Sequence, residues 1–233
     1  RPQAIRHIAF DPVDPFHIRV RLHPIGKGTT FGPNNIRRET MKRAYFVTGI
    51  DTDAGKSVVT GVLARTLAAR GERVITQKFI QTGCDGLSED IETHRRIMGI
   101  GLLPEDEDGT TCPIVFTYPA SPHLAAAIDG RDIDLTLIGR STEKLLQKYD
   151  TVLIEGAGGL YVPLSEAYQT IDYVAEHGLP VILVTSPRLG SINHTLLSLE
   201  ACRSRNIEVA AVAYNLYPPA PAPIVRDTRT YLK

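Results

Sequence analysis

The 233-residue chain has no excess of charge of either sign, since 26 Lys and Arg face 26 Asp and Glu. That balance excludes the strongly basic footprint of a protein whose main partner is a nucleic-acid backbone. No apolar run approaches the roughly 20 residues needed to cross a bilayer, and the first residues lack the charged-then-apolar layout of a signal peptide. The expectation is a cytoplasmic protein with neither a nucleic-acid nor a membrane partner. Cysteine is also scarce. Cys84, Cys112 and Cys202 are odd in number, far apart and never arranged as Cys-x-x-Cys, which argues against a disulfide framework and a cysteine zinc site. They read as buried or incidental thiols. There is no internal repeat. What is present, 42% hydrophobic and 22% charged residues, can bury a sizeable core as one large domain.

Zero net charge hides an asymmetry. Residues 1–43 hold nine Lys/Arg and three Asp/Glu, leaving 17 against 23 in residues 44–233. This leader mixes Pro, Gly and basic residues without a sustained period, apart from a brief alternation over 17–22, and Met41 stands just ahead of the first well-patterned segment. Residues 1–40 are therefore expected to be upstream or processed sequence, disordered or non-native, whose deletion leaves activity unchanged. The alternative is a basic arm that docks on an acidic partner. Residues 41–233 are the expected catalytic domain.

From residue 44 onward, short β-branched apolar runs alternate with helical patterns, the mark of strand–helix–strand units and a mostly parallel sheet with helices on both faces. Strands are predicted at 45–48, 73–77, 113–116, 151–154, 181–185 and 208–213. Helices are predicted at 56–70, 89–98, 135–147, 170–176 and 192–205, the first with Val59, Val62, Leu63, Thr66 and Leu67 on one face. The acidic stretch 105–108 and the proline cluster 218–223 read as exposed connections. In such folds the loops after the strands gather at the carboxyl edge of the sheet, where ligands bind.

The first of those loops carries Gly49-Ile50-Asp51-Thr52-Asp53-Ala54-Gly55-Lys56-Ser57 and runs directly into an amphipathic helix. Glycines let successive N–H groups point at a polyphosphate, the helix N-terminus adds partial positive charge, Lys56 reaches the β- and γ-phosphates and Ser57 can hold Mg²⁺. The fold class is thus α/β of the P-loop NTPase type. Five residues rather than four separate Gly49 from Gly55, so the usual first-glycine position is Ile50. A glycine-rich helix cap with a solvated lysine would account for Gly55 and Lys56 separately, but not for their place between strand and helix.

Two carboxylates are candidates for the same metal. The apolar run 151–154 ends in Glu155, followed by Gly156-Ala157-Gly158-Gly159, and a glutamate ending a buried strand is costly unless paired or metal-bound. Its alternative is a turn or helix-cap role. Asp90 fits a metal ligand and an acidic first helical turn equally well. Lys78, at the end of the second strand, falls beside the phosphate loop, the alternative being a surface lysine snorkelling from a sheet edge. Asn193 sits near the start of a helix, where an asparagine cap is the plain reading.

Taken together, residues 49–57, Lys78 to Gly83, Ser121-Pro122-His123, Glu155 to Gly159 and Ile192-Asn193-His194 resemble the dethiobiotin synthetase family in order and spacing, over nearly all of residues 41–230. The resemblance implies an ATP- and Mg²⁺-dependent ligase that closes a ureido ring on 7,8-diaminononanoate (7,8-diaminopelargonate) with CO₂. It further implies Lys56 and Lys78 as catalytic residues and Ser57, Asp90 and Glu155 as Mg²⁺ ligands. Thr52, Asp53, Ala54, Gly55, Lys56, Ser57 and Asn215 would bind ATP, and Thr52, Lys78, Thr82, Gly159 and Asn193 the substrate. It implies a homodimer in which Asn193 meets the substrate carboxylate across the interface. Two departures are Ser57 in place of the commoner threonine and Lys78-Phe79-Ile80 in place of Lys-Pro-Val. The family pattern also continues past Lys233 with a strand and helix that close over the ribose.

Of the seven histidines, none has a paired ligand at metal-site spacing, and His94 and His123 read as structural. Arg95, Arg96 and Lys144 read as solvated helix faces. Two other functions share the loop. A switch ATPase would carry a lysine early in it, where this chain has Asp51 and Asp53. A glutamine-dependent amide ligase would need a glutaminase domain for which the chain lacks the length.

Overall fold

The computed structural model describes residues 43–216 and 219–232. The readings made for residues 1–40 lie outside the described residues. In chain order the elements are β1 (Arg43–Gly49), a 3-10 turn (Thr52–Ala54), α1 (Lys56–Ala69), β2 (Val74–Lys78), β3 (Gln81–Thr82), α2 (Glu89–Met98), α3 (Pro104–Glu107) and β4 (Val115–Phe116). There follow α4 (Pro122–Asp129), α5 (Leu135–Lys148), β5 (Thr151–Glu155), α6 (Thr170–Glu176), β6 (Val181–Thr185), α7 (Ser191–Ser204), β7 (Val209–Tyr214) and α8 (Ala222–Tyr231).

Five strands form one sheet in the order β2-β5-β1-β6-β7, and every pairing in it is parallel. Parallel neighbours require crossovers, and helices supply them, so both faces of the sheet are covered. Strand alternation then divides the core. Tyr45, Val47, Leu153, Ile182 and Val184 pack with Val59, Val62 and Leu63 of α1. Phe46, Val152, Ile154 and Leu183 face the other way, toward Ile138 and Leu145 of α5 and Ile171 of α6. The register sets Glu155 of β5 beside Lys78 of β2 on one side and Val47 of β1 on the other. The tips of β2, β5 and β1 therefore open at the same level as the loop after β1.

Helix α2 lies against α1 because Gly61 leaves room for it: a Cβ there would stand 3.0 Å from Ile97 Cβ. That close approach brings the first turn of α2, with Asp90, to the first turn of α1, with Ser57.

Several expectations need correction. The segment predicted as a strand at 113–116 contributes only Val115–Phe116, which pairs with β3 in a separate two-stranded sheet rather than with the main one. The acidic stretch is not an exposed connection, since Pro104–Glu107 is a short helix whose Glu105 and Asp106 are buried. Arg95 is not solvated but 2% exposed, and its guanidinium is held by Asp106 through Nε–Oδ2 at 2.8 Å and Nη2–Oδ1 at 2.7 Å. Of the proline cluster, Pro219, Pro221 and Pro223 are exposed as expected, and only its end, from Ala222, lies in α8, whose N-cap residue is Pro221. Asn193 is not the cap of α7; Gly190 is, at φ 93°. Cys112 and Cys202 are buried and all three thiols are free.

Candidate active site

The loop after β1 turns at Gly55, whose φ of 86° and ψ of 33° lie in the left-handed region. Any Cβ there would also meet Asn215 Nδ2 at 2.2 Å, so glycine is required twice over. Asn215, buried at the end of β7, donates from Nδ2 to Ala54 O at 3.0 Å and braces the loop from below. Lys56 folds back across it, and Nζ donates to Asp51 O at 3.1 Å and Thr52 O at 3.0 Å. Burial pushes the pKa of this lysine below its usual value; Glu155 pulls it back only in part, and Lys78 adds to the lowering. Asp51 is held by Arg188 from the segment between β6 and α7, which with Thr52 N keeps its carboxyl below the usual carboxylate range.

Beside the loop, two lysines, two carboxylates and a hydroxyl converge. Ser57 Oγ lies 2.6 Å from Asp90 Oδ1 and 2.9 Å from Glu155 Oε1. Lys78 Nζ donates to Glu155 Oε1 at 3.1 Å and Gly156 O at 3.3 Å and forms an ion pair with Asp90. Both Lys78 and Glu155 are buried, at 5% and 1% exposure, so each needs the other. Burial opposes the charge on Lys78, but Glu155 and Asp90 outweigh it and hold the ammonium's pKa above its usual value. Burial likewise opposes ionisation of Glu155, and Lys78, His94 and Lys56 overcome it, keeping the carboxyl far below its usual range.

A magnesium ion suits this donor set. Ser57 has one hydroxyl hydrogen and faces two carboxylate oxygens, so the three oxygens together hold more acceptor capacity than the hydroxyl can fill. Hard oxygen donors, two of them carboxylates, are what Mg²⁺ takes from protein when phosphates and water complete its shell. Among the described residues no group of three or more His, Cys, Asp and Glu side chains forms a self-contained metal cage.

The remaining predicted residues divide. Thr52 and Asp53 are exposed on the loop, and Thr52 Oγ1 would stand 3.8 Å from a Cβ on Gly158, so the loop after β5 lies against it. Gly159 sits over Gly49 O, which a Cβ would approach to 3.3 Å. Thr82, half-buried in β3, is on the strand that follows Lys78 by three residues. Asn193 is not brought to this cluster. It is exposed on α7 beside Leu196 and Leu197, lining an open hollow with Glu200 and Arg203.

Sequence reasoning missed His94. Its ring is fully buried, with Nε2 2.6 Å from Glu155 Oε2 and Nδ1 3.0 Å from Thr76 Oγ1. The only signal was its place four residues after Asp90 on one helix, which puts both on the same side of α2.

Fold and site together define a P-loop α/β nucleotide-dependent enzyme. Comparison with known proteins agrees, since a family model described as an AAA domain matches residues 43–232. The chain is 54% identical to the ATP-dependent dethiobiotin synthetase BioD 2 of Pasteurella multocida, over 83% of this chain and 91% of that relative. It is 57% identical to the ATP-dependent dethiobiotin synthetase BioD of Chlorobaculum tepidum, over 83% and 81%, and 56% identical to BioD 2 of Haemophilus influenzae, over 76% and 93%. The chain belongs to the ATP-dependent dethiobiotin synthetase family. Among the described residues no helix is long and apolar enough to cross a membrane.

Proposed function

We propose that the chain carboxylates and cyclises 7,8-diaminononanoate with CO₂, consuming ATP and yielding dethiobiotin, ADP and phosphate. The observation that carries this reading is the meeting of Lys78, Asp90 and Glu155 with Ser57 beside the phosphate loop, in a chain of this family. One substrate amine adds to CO₂ and loses a proton, giving a carbamate. A carbamate oxygen then attacks the γ-phosphorus and ADP departs. The second amine attacks the carbonyl carbon of the resulting carbamic–phosphoric anhydride, phosphate leaves with the C–O bond, a further proton is lost and the ring closes.

No step needs a covalent nucleophile on the protein. What it supplies is charge and position. Thr52, Asp53, Ala54 and Gly55 present the loop backbone to the phosphates, Lys56 offers its ammonium to the β- and γ-oxygens, and Asn215 supports the loop on the nucleotide side. Lys78 stands where a carbamate and the transferring phosphoryl group need a positive partner. Ser57, Asp90 and Glu155 would hold Mg²⁺, which when bound neutralises phosphate charge. Thr82 and Gly159 border the diamine. A second copy of the chain covers α7 and brings Asn193 to the substrate carboxylate; Leu189, Leu196, Leu197 and Tyr161, all exposed, support such an interface. Residues 41–233 are the catalytic unit, and a cytoplasmic setting goes with ATP as co-substrate.

The test is to incubate the protein with ATP, Mg²⁺, bicarbonate and 7,8-diaminononanoate, and to follow ADP release and dethiobiotin by mass spectrometry while omitting each component in turn. One dethiobiotin per ADP is expected. ADP release that continues without the diamine, with no dethiobiotin formed, overturns the reading.

A further inference from the structure

The two oxygens of Glu155 face different surroundings. Oε1 looks into the site, toward Ser57 Oγ and Lys78 Nζ, whereas Oε2 looks back into the protein at His94 Nε2, 2.6 Å away. Behind His94 stands a chain of donors with no solvent between them. Arg95 Nη1 donates to Thr76 Oγ1 at 2.9 Å, and Thr76 Oγ1 lies 3.0 Å from His94 Nδ1. Thr76 and His94 are fully buried, and Arg95 and Asp106 nearly so.

A guanidinium can only donate, so Thr76 Oγ1 accepts from Arg95, and with one hydrogen and a second lone pair it can serve His94 Nδ1 in either role. The ionised Glu155 can only accept, so His94 Nε2 carries a hydrogen and donates it to Oε2. Arg95 cannot swing away, because Asp106 grips it with two oxygens, and Asp106 itself accepts from Leu103 N at 2.8 Å and Thr111 Oγ1 at 2.7 Å. The line from α3 to the tip of β5 is thus fixed at every joint.

We propose that His94 is a positioning residue for the metal-binding carboxylate, occupying Glu155 Oε2 so that Glu155 meets the cation through Oε1 alone, with Thr76, Arg95 and Asp106 as its support. The inference rests on the reading of Ser57, Asp90 and Glu155 as Mg²⁺ ligands. Its physical sense lies in the geometry magnesium demands. A small ion with a near-octahedral shell takes one oxygen per carboxylate, and a carboxylate free to rotate would offer two. Groups that orient a metal ligand from behind commonly change metal affinity by about 10- to 100-fold when removed. His94 touches neither nucleotide nor substrate in this arrangement, so its effect should fall on the metal.

The experiment uses the full chain saturated with ADP and titrated with Mn²⁺, the free ion being read by electron paramagnetic resonance. ADP affinity in EDTA is measured alongside by calorimetry. His94→Leu should weaken Mn²⁺ binding by about 10- to 100-fold while metal-free ADP affinity stays unchanged. His94→Gln, whose amide nitrogen is as many bonds from the backbone as imidazole Nε2, should restore Mn²⁺ binding. Thr76→Val, which cuts the support but leaves the ring, should fall between. Wild-type Mn²⁺ affinity in His94→Leu, equal loss of metal and metal-free ADP binding, or a His94→Gln variant as weak as His94→Leu would each overturn the proposal. A wild-type protein that adds nothing to the Mn²⁺ affinity of ADP alone would instead overturn the metal assignment on which it stands.

Discussion

Burial presses on Lys56 and Lys78 in the same direction, and their partners decide the outcome. Lys56 rests on the loop carbonyls of Asp51 and Thr52 and ends with a lowered pKa, whereas Lys78 lies between two carboxylates and ends with a raised one. A lysine held by weak carbonyl contacts is readily handed to a phosphate, while one held by Asp90 and Glu155 stays charged and in place across the working pH range. Their substitutions should therefore differ in kind. On the proposal that Lys56 holds the β- and γ-phosphates before and during transfer, Lys56→Ala should raise KM for ATP and lower kcat by at least about 100-fold. Lys78→Ala should cut kcat by about 100-fold or more with a smaller change in KM for ATP. Steady-state kinetics with ATP varied at saturating diamine distinguishes the two; an unchanged kcat for Lys78→Ala removes it from the chemistry.

At the scale of elements, α2 is joined to α3 by a buried Arg95–Asp106 pair and to β2 by Thr76. Asp106→Asn leaves the guanidinium buried without its charge partner, a loss of about 3–5 kcal/mol for a broken buried pair, to be read as a fall in Tm by calorimetry. The pH dependence has a definite sign. Burial alone would raise the Asp106 pKa, but Arg95, Leu103 N and Thr111 hold it below the usual value. Its contribution is therefore complete above the unfolded value of about 3.9 and is lost as pH falls through the lower folded value. The Tm gap between wild type and Asp106→Asn should be constant from neutral pH downward and narrow only below about pH 4. The sequence predicts the bounds of α2 correctly at 89–98, but not the burial of its polar side chains, and it reads α3 as an exposed connection. The strands of the main sheet were legible because apolar runs rich in β-branched residues, such as Val152-Leu153-Ile154, have no other place to go, and the phosphate loop because its glycine and lysine lie between strand and helix. His94, Arg95 and Asp106 were not, because isolated polar residues in α2 and α3 carry the same pattern whether they face water or one another. Their burial depends on the approach of α2 to α1 over Gly61, a tertiary fact. β4 was misplaced for a similar reason: an apolar run shows that a strand is covered, not which strand covers it.

For the whole molecule, α7 is the element left over. Leu197 is 61% exposed on the helix that carries Asn193, and Leu189, 89% exposed, stands just before that helix's N-cap Gly190. If a second copy covers that face, Leu197→Asp should turn a dimer into a monomer by sedimentation, with Tm falling only by what association itself contributes, since Leu197 is largely exposed in its own chain. The KM for the diamine should rise with it, because the partner's Asn193 is then lost, and a variant that stays dimeric would refute the interface. The topology has a further consequence in time. β1 is the centre of the sheet, yet its neighbours are β5 and β6, which begin only at Thr151 and Val181, whereas β1 ends at Gly49. Chain elongation at roughly 5–20 residues per second leaves this apolar strand without either partner for on the order of ten seconds after it is made. No nascent fragment ending before Thr151 can pair β1 within the sheet, and so none can present the phosphate loop in its working form. The phosphate loop is among the first described segments to be made but takes its working form only after β5 and β6 exist, which makes β1 the segment most in need of shelter while the ribosome is still at work.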